Sequence, residues 1–129
     1  MKTQIILLRI AGIISLLFMM FHFAFNTLFD WENTLRCLSQ DNRSILLTYH
    51  YVSFLITGFM GFIPLFQTRV LLNSSLKYSI LSLFTLFYLI RIVTEFTLFG
   101  FQMPQSIIII VMCAIPMVFY AIPLFFKLK

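Results

Sequence analysis

The chain has 129 residues and a formal net charge of +5; 61% of its residues are hydrophobic and only 10% are charged. Soluble domains carry roughly 45–50% apolar and about 25% charged residues, so this composition excludes an ordinary water-soluble domain. The basic residues mostly flank apolar runs, which favours membrane topology over nucleic-acid binding as the origin of the positive charge.

Four apolar runs are each long enough to cross a bilayer, because about 20 helical residues span its hydrocarbon core. We predict spans over approximately 5–29, 45–66, 78–99 and 106–126, within a single transmembrane domain covering 1–129. The first run is too long for the apolar part of a signal peptide, which supports a true span. Short connections favour antiparallel neighbours. The predicted fold class is therefore all-α, an integral membrane four-helix bundle with up-down-up-down topology.

The distribution of basic residues predicts the orientation of these spans. Cytoplasmic segments of membrane proteins are enriched in Lys and Arg. Arg36 and Arg43 fall in the long first loop, beside acidic residues. The other basic residues considered flank the opposite ends of the spans: Lys2, Arg9, Arg69, Lys77, Lys127 and Lys129. This bias predicts that both termini and the second loop are cytoplasmic, and that the first and third loops face outward.

Ionisable side chains interrupt three of the four runs at a common depth. His22 lies near the outer end of span one, His50 near the outer start of span two, and Arg91 with Glu95 in the outer half of span three. At the helical rise, all four lie within about 12 Å of the outer surface. Ionisable groups inside membrane spans usually face the bundle interior and often mark function. We therefore predict an outward-facing polar pocket.

Helical spacing assigns further residues to this pocket. Tyr88, Arg91 and Glu95 are separated by three and four residues and so share one stripe of span three, as His22 and Asn26 do on span one. The predicted ligand-binding set is His22, Asn26, His50, Tyr88, Arg91 and Glu95. Arginine binds carboxylate or phosphate through paired hydrogen bonds, which favours a small acidic or lipid-like ligand.

The first span, LLRIAGIISLLFMMFHFAFN with Arg9, Gly12 and His22, resembles the opening span of small DoxX-like four-helix membrane proteins. The whole pattern also resembles a family of uncharacterised bacterial four-span proteins. Its features are an outer loop with Trp31 and Asn42–Arg43, a His-bearing second span, an Arg-bearing third and a Pro-rich fourth. The resemblance implies a bacterial inner-membrane protein. The DoxX-like group is functionally mixed, with some members linked to quinone or thiol redox chemistry, so no catalytic residue carries over.

Three functions remain open from the sequence. The first is a non-enzymatic membrane protein that binds a small or lipid-like ligand in the polar pocket. The second is a redox accessory subunit in which His22 and His50 ligate haem b, or which contacts quinone; the two histidines with Glu95 also have the ligand types of a divalent metal site. The third is a structural subunit, in which Arg91 and Glu95 only neutralise each other and the Phe-rich faces pack on a partner or a second copy. The chain shows no recognisable Ser–His–acid set, which argues against an enzyme.

Overall fold

The computed structural model describes residues 2–125, and that part of the chain is helical and contains no β-strand. Its four long helices are α1 Lys2–Phe23, α4 Gln40–Phe66, α6 Lys77–Thr97 and α7 Gln105–Phe125. Shorter elements connect them: α2 Phe25–Leu28, α3 Trp31–Thr34, a 3-10 turn at Leu35–Cys37 and α5 Thr68–Asn73. Each long helix is long and apolar enough to cross a membrane. The prediction of an all-α protein with four membrane-length apolar helices is confirmed.

The first long helix ends earlier than the predicted span. α1 stops at Phe23, and a turn at Ala24 separates it from α2. The Ala24 N–H is shared between the carbonyl oxygens of Met20 and Phe21, at 3.2 and 3.1 Å, and such a bifurcated hydrogen bond is common at a helix end. Asn26 consequently belongs to α2, and it does not share one continuous helical stripe with His22.

The second long helix begins earlier than predicted, at Gln40, because Ser39 caps it. The Ser39 hydroxyl accepts a hydrogen bond from the Asn42 backbone N–H at 3.4 Å, and this satisfies one of the free donors of the first turn. The third span agrees closely with α6. The predicted end of span four at 126 and the basic residues Lys127 and Lys129 lie outside the described residues, as does residue 1.

The packing order of the long helices follows from their contacts. α1 contacts both α4 and α7, and α7 also contacts α6, so α1 and α7 form the centre of the bundle. Small residues allow the approach of α1 to α4. A Cβ atom built at Gly12 would lie 2.9 Å from the backbone oxygen of Gly61, and one built at Gly61 would lie 2.5 Å from a Leu16 methyl carbon. The two backbones therefore meet where neither glycine has room for a side chain.

The bundle buries only a small share of its apolar side chains. In the most apolar stretch of each long helix, between 22% and 28% of the residues are buried. Large apolar side chains cover the outside, including Phe23, Leu83 and Phe125. Apolar surface on this scale requires lipid or an apolar partner to cover it. The buried centre contains Leu8, Ala11, Phe18, Met60, Leu71, Leu72, Leu81, Phe84, Tyr88, Cys113 and Tyr120.

Candidate functional site

A cavity of about 230 Å³ lies between the four long helices. It is in the half of the bundle where α1 and α6 end and α4 and α7 begin, and Phe25 of α2 also contacts it. Most of its wall is aromatic or aliphatic, with a few polar side chains. The lining residues are Phe18, Phe21, His22, Phe25, Ser53, Thr57, Phe87, Tyr88, Ile90, Arg91, Thr94, Ile109 and Cys113. This cavity, which we call the central cavity, is apolar with convergent polar groups, as ligand sites commonly are.

Arg91 and Glu95 form an ion pair on α6 that is anchored to α7. An Nη atom of Arg91 donates to the Glu95 carboxylate at 2.7 Å, and the Ser106 hydroxyl donates to the other carboxylate oxygen at 2.6 Å. Ser106 itself accepts from the Gln102 backbone N–H at 2.8 Å. The Glu95 side chain is 7% exposed and that of Arg91 is 31% exposed. The carboxylate is therefore enclosed by its partners, whereas the guanidinium is more open.

The guanidinium of Arg91 keeps most of its hydrogen-bonding capacity. It carries five N–H donors, and within residues 2–125 Glu95 is its hydrogen-bond acceptor. The Phe99 ring lies 4.6 Å from its Cζ atom, a cation–π contact that uses a face of the guanidinium without consuming a donor. Because Arg91 also lines the central cavity, its remaining donors are available to an anionic group there.

Two hydroxyl groups of the cavity wall, those of Thr57 and Thr94, are already satisfied by backbone carbonyls of their own helices. Thr57 donates toward the carbonyl oxygens of Ser53 and Phe54, at 2.8 and 3.0 Å. Thr94 donates to the carbonyl of Arg91 at 2.9 Å. These threonines therefore add little donor capacity to the cavity, and the unused polar capacity lies at Arg91, at His22 and at the Ser53 hydroxyl.

The two histidines lie side by side, but they have different surroundings. Their ring centroids are 5.7 Å apart, and Phe25 contacts both, at 4.6 Å from His22 and 5.4 Å from His50. Trp31 packs edge-on against His50 at 4.8 Å. His22 lines the central cavity, and its buried Nδ1 atom has no hydrogen-bond partner among the described residues. His50 is held in the aromatic cluster and is not one of the cavity-lining residues.

This arrangement does not fit a haem ligated by both histidines. The macrocycle would have to lie between the two imidazoles, where the rings are already close and Phe25 packs against each of them. The divalent-metal hypothesis needs Glu95 beside the histidines, yet that carboxylate is bound by Arg91 and Ser106. Over residues 2–125, no three His, Cys, Asp or Glu side chains are grouped closely enough to hold a metal ion.

Tyr88 contributes its ring to the cavity wall, while its hydroxyl belongs to a buried network that the sequence did not predict. Ser15 Oγ lies 2.8 Å from the hydroxyl oxygens of both Tyr88 and Tyr120. Tyr120 donates to the carbonyl of Met60 at 2.8 Å. That carbonyl would ordinarily accept from the N–H four residues later, but position 64 is Pro64, which has no N–H. The network thus joins all four long helices and supplies the donor that the proline lacks.

A second, larger cavity of about 540 Å³ lies beside the first loop, and it contains Asn26. We call it the loop cavity. Its lining residues are Asn26, Thr27, Asp30, Trp31, Glu32, Leu35, Arg43, Leu47 and Tyr51. Asn26 is exposed, and it lines this cavity instead of the central one, because the turn at Ala24 separates α2 from α1.

The structure therefore divides the predicted ligand-binding set. His22, Tyr88 and Arg91 line the central cavity together. Glu95 lies behind Arg91 as its counter-ion, and His50 packs against His22 without reaching the cavity. The sequence missed the aromatic wall, since Phe18, Phe21 and Phe87 are hard to distinguish from the many other Phe residues of the chain.

Searches of protein-family models, curated proteins and solved structures found no match for this chain. The resemblance to DoxX-like and other four-span bacterial proteins stays a prediction.

Proposed function

We propose that this chain is a multi-pass membrane protein that binds a small amphipathic anion, such as a lipid-like carboxylate, in the central cavity. The observation that carries the proposal is that Arg91 and His22 line the same largely apolar cavity. Arg91 has unused donors and His22 has an unpartnered buried nitrogen. A ligand with a charged head and an apolar body satisfies both the polar groups and the aromatic wall.

The outward-facing apolar surface of the four long helices supports insertion into a bilayer. Contacts between neighbouring helices support an up-down-up-down bundle, because they pair residues in opposite order along the chain. Along α1, Gly12 meets Gly61 of α4, and His22, further along α1, meets His50, which comes earlier in α4. Glu95 near the end of α6 contacts Ser106 near the beginning of α7. The bias of basic residues supports cytoplasmic termini. The resemblance to bacterial four-span proteins is what favours a bacterial inner membrane. In that orientation the central cavity lies in the outer half of the bilayer.

The proposed binding chemistry assigns a different role to each polar residue. Arg91 donates to the carboxylate or phosphate of the ligand, where a charge-assisted hydrogen bond in an apolar surrounding is strong. Glu95 remains paired with Arg91 and Ser106, so it keeps the guanidinium oriented in the absence of ligand. His22 Nδ1 provides a second hydrogen-bonding position at the aromatic wall. Tyr88 shapes the wall while its hydroxyl stays bound to Ser15.

Thermal stability of the detergent-purified protein tests this proposal with decanoate as the probe and 1-decanol as its uncharged counterpart. We expect decanoate to stabilise the wild-type protein and 1-decanol to have a much smaller effect. Arg91→Gln combined with Glu95→Gln removes the cation without leaving a buried unpaired carboxylate. We expect this double variant to fold and to lose the decanoate effect. Arg9→Gln is the matched control, since Arg9 is an exposed cation of α1 that does not line the cavity.

Three results would refute the proposal. One is equal stabilisation by decanoate and 1-decanol, which would show that the head group is not recognised. The other is a folded double variant that still responds to decanoate as the wild type does. The third is an equal loss of the response in Arg9→Gln, which would show that the decanoate effect does not depend on the cavity.

The two other functions from the sequence stay predictions. A redox accessory subunit that contacts quinone shares the lipid-like ligand class, and difference spectroscopy with added quinone separates it from simple anion binding. Haem ligation by both histidines does not fit the packing of Phe25 against them, so protein produced with ample haem should show no Soret band. A structural subunit of a membrane complex, or a homo-oligomer, requires a partner that co-purifies through the exposed Phe-rich faces.

A further inference from the structure

The loop cavity brings opposite charges to one concave surface without pairing them. Asp30 and Glu32 lie in its lining together with Arg43. Within residues 2–125, no ion pair joins Arg43 to either carboxylate, and the ion pair that Glu32 does make is a long one, 3.9 Å, to Arg36. A cavity of about 540 Å³ thus has separated anionic and cationic groups in its wall. This is the charge pattern that complements a zwitterion.

The anionic side of this cavity is held in a defined position. Asp30 has a left-handed backbone conformation with φ of 46°, at the residue that precedes α3. The Asn33 side-chain amide donates to both Asp30 carboxylate oxygens, at 3.0 Å each. A carboxylate accepts several hydrogen bonds, so Asp30 retains lone pairs for a ligand. Left-handed conformations are uncommon outside glycine and tend to occur where the surrounding structure imposes them.

The position of the loop cavity along the chain places it at the level of lipid headgroups in the proposed membrane orientation. It is formed by α2, α3 and the beginning of α4, where the apolar runs give way to charged residues. Trp31 and Tyr51 belong to its lining, and Trp and Tyr are enriched at membrane–water interfaces. Leu35 and Leu47 add apolar surface to the same wall. The cavity wall therefore combines charged, aromatic and aliphatic groups. It does so at the depth where a phospholipid changes from its charged headgroup to its apolar acyl chains.

We propose that the loop cavity binds the headgroup of a zwitterionic phospholipid with a primary amine, of the phosphatidylethanolamine class. Arg43 binds the phosphate, and Asp30 with Glu32 accepts hydrogen bonds from the ammonium group. The side-chain oxygen of Asn26 is a further acceptor in the same lining. A quaternary ammonium has no N–H to donate to these acceptors, which is why the primary amine is favoured. The inference depends on the membrane placement proposed above, but not on the ligand of the central cavity.

Native mass spectrometry of the full chain in detergent, titrated with phosphatidylethanolamine, phosphatidylcholine or phosphatidylglycerol of matched acyl chains, tests this inference. We expect phosphatidylethanolamine to bind more tightly than either other lipid. Arg43→Gln should weaken its binding about tenfold, which corresponds to about 1.4 kcal/mol, the size of one charge-assisted hydrogen bond. Asp30→Asn should weaken it similarly, and asparagine tolerates the left-handed backbone at this position. Arg69→Gln is the matched control, because Arg69 is an exposed cation that neither lines the cavity nor pairs with a residue of its wall.

Equal binding of the three lipids overturns the inference, and so does an equal loss of binding in Arg69→Gln and Arg43→Gln. The double variant of Arg91 and Glu95 should retain phosphatidylethanolamine binding, since both residues lie outside the loop cavity. This variant separates the two proposals. If it loses the decanoate response but still binds phosphatidylethanolamine, the substitutions have disabled the central cavity and left the loop cavity intact. Release of the chain from membranes by alkaline carbonate would refute the shared membrane placement itself.

Discussion

The sharpest prediction concerns Tyr120 and Pro64. Tyr120 donates to the Met60 carbonyl, which has no helical donor because Pro64 lacks an N–H. If the tyrosine hydroxyl compensates for the proline, the two positions must be energetically coupled. Pro64→Ala restores an N–H within helical reach of Met60, so removal of the Tyr120 hydroxyl should then matter less.

The expected loss of stability follows from the hydrogen bonds among the hydroxyl groups of Ser15, Tyr88 and Tyr120. Their three protons can form one directed chain, from Tyr88 to Ser15, from Ser15 to Tyr120, and from Tyr120 to Met60; the Ala11 carbonyl, 3.0 Å from Ser15 Oγ, is a second acceptor for the Ser15 proton. Tyr120→Phe removes the hydrogen bond to Met60 and leaves that buried carbonyl without a donor, whereas Ser15 keeps the Ala11 carbonyl as an acceptor. Side-chain hydrogen bonds in membrane proteins average about 0.6 kcal/mol, and an unsatisfied buried group costs about 1–3 kcal/mol. We expect Tyr120→Phe to lower the free energy of unfolding by about 2–3 kcal/mol. Tyr88→Phe removes one terminal donor and should cost about 1 kcal/mol.

The double-mutant cycle of Tyr120→Phe and Pro64→Ala measures the coupling. In the Pro64→Ala background, the cost of Tyr120→Phe should fall by about 1–2 kcal/mol, since the carbonyl regains a backbone donor. Unfolding by SDS in mixed micelles can be followed through Trp31, the one tryptophan of the chain, which packs against His50. Strictly additive effects of the two substitutions would refute the reasoning, as would a Tyr88→Phe cost equal to that of Tyr120→Phe.

Three further predictions concern the helix crossing, the ion pair and the orientation. Gly12→Ala should destabilise the protein by about 1–3 kcal/mol in the same assay, and Gly58→Ala by less than about 1 kcal/mol. The Cβ added at Gly12 meets a backbone oxygen of α4 at 2.9 Å, whereas the Cβ added at Gly58 meets a flexible methionine sulfur at 3.0 Å. Equal stability losses in the two variants would contradict this explanation. Arg91→Gln should lower the free energy of unfolding by about 1–3 kcal/mol. This is below the usual range for breaking a buried ion pair, because the Arg91 side chain is 31% exposed. Adding Glu95→Gln should recover most of the lost stability, since no unpaired carboxylate then remains. A membrane-impermeant maleimide should label the exposed Cys37 in intact spheroplasts, whereas labelling only after permeabilisation would place the first loop in the cytoplasm.

Much of the architecture could be predicted from local sequence because membrane-length apolar runs are a local property. A helix that satisfies its own backbone hydrogen bonds and exposes apolar side chains needs no distant partner to be recognised. The α6 and α7 helices therefore agree closely with the predicted spans, and the i,i+4 pair of Arg91 and Glu95 forms as its spacing suggests. The boundaries of α1 and α4 were less predictable, because they depend on a turn at Ala24 and a cap at Ser39.

Only part of the candidate site could be predicted from the sequence in the same way. The depths predicted from the helical rise put His22 and Arg91 at a similar level, and the structure places both in the lining of one cavity. Depth alone does not determine the direction in which a side chain points. His50 lies at a similar level but packs among Phe25 and Trp31, and Asn26 lies in the loop cavity.

By itself, the sequence determined four apolar helices, their approximate extents and the polar residues within them, because each of these depends on neighbours along the chain. Only the tertiary structure decided which helices meet and which polar groups remain unpaired. Ser15 contacts tyrosines that are 73 and 105 residues away, and Tyr120 reaches a carbonyl 60 residues away. Such contacts depend on the rotation of each helix about its axis. That rotation is set by side-chain packing across the bundle, at places such as the crossing of Gly12 and Gly61.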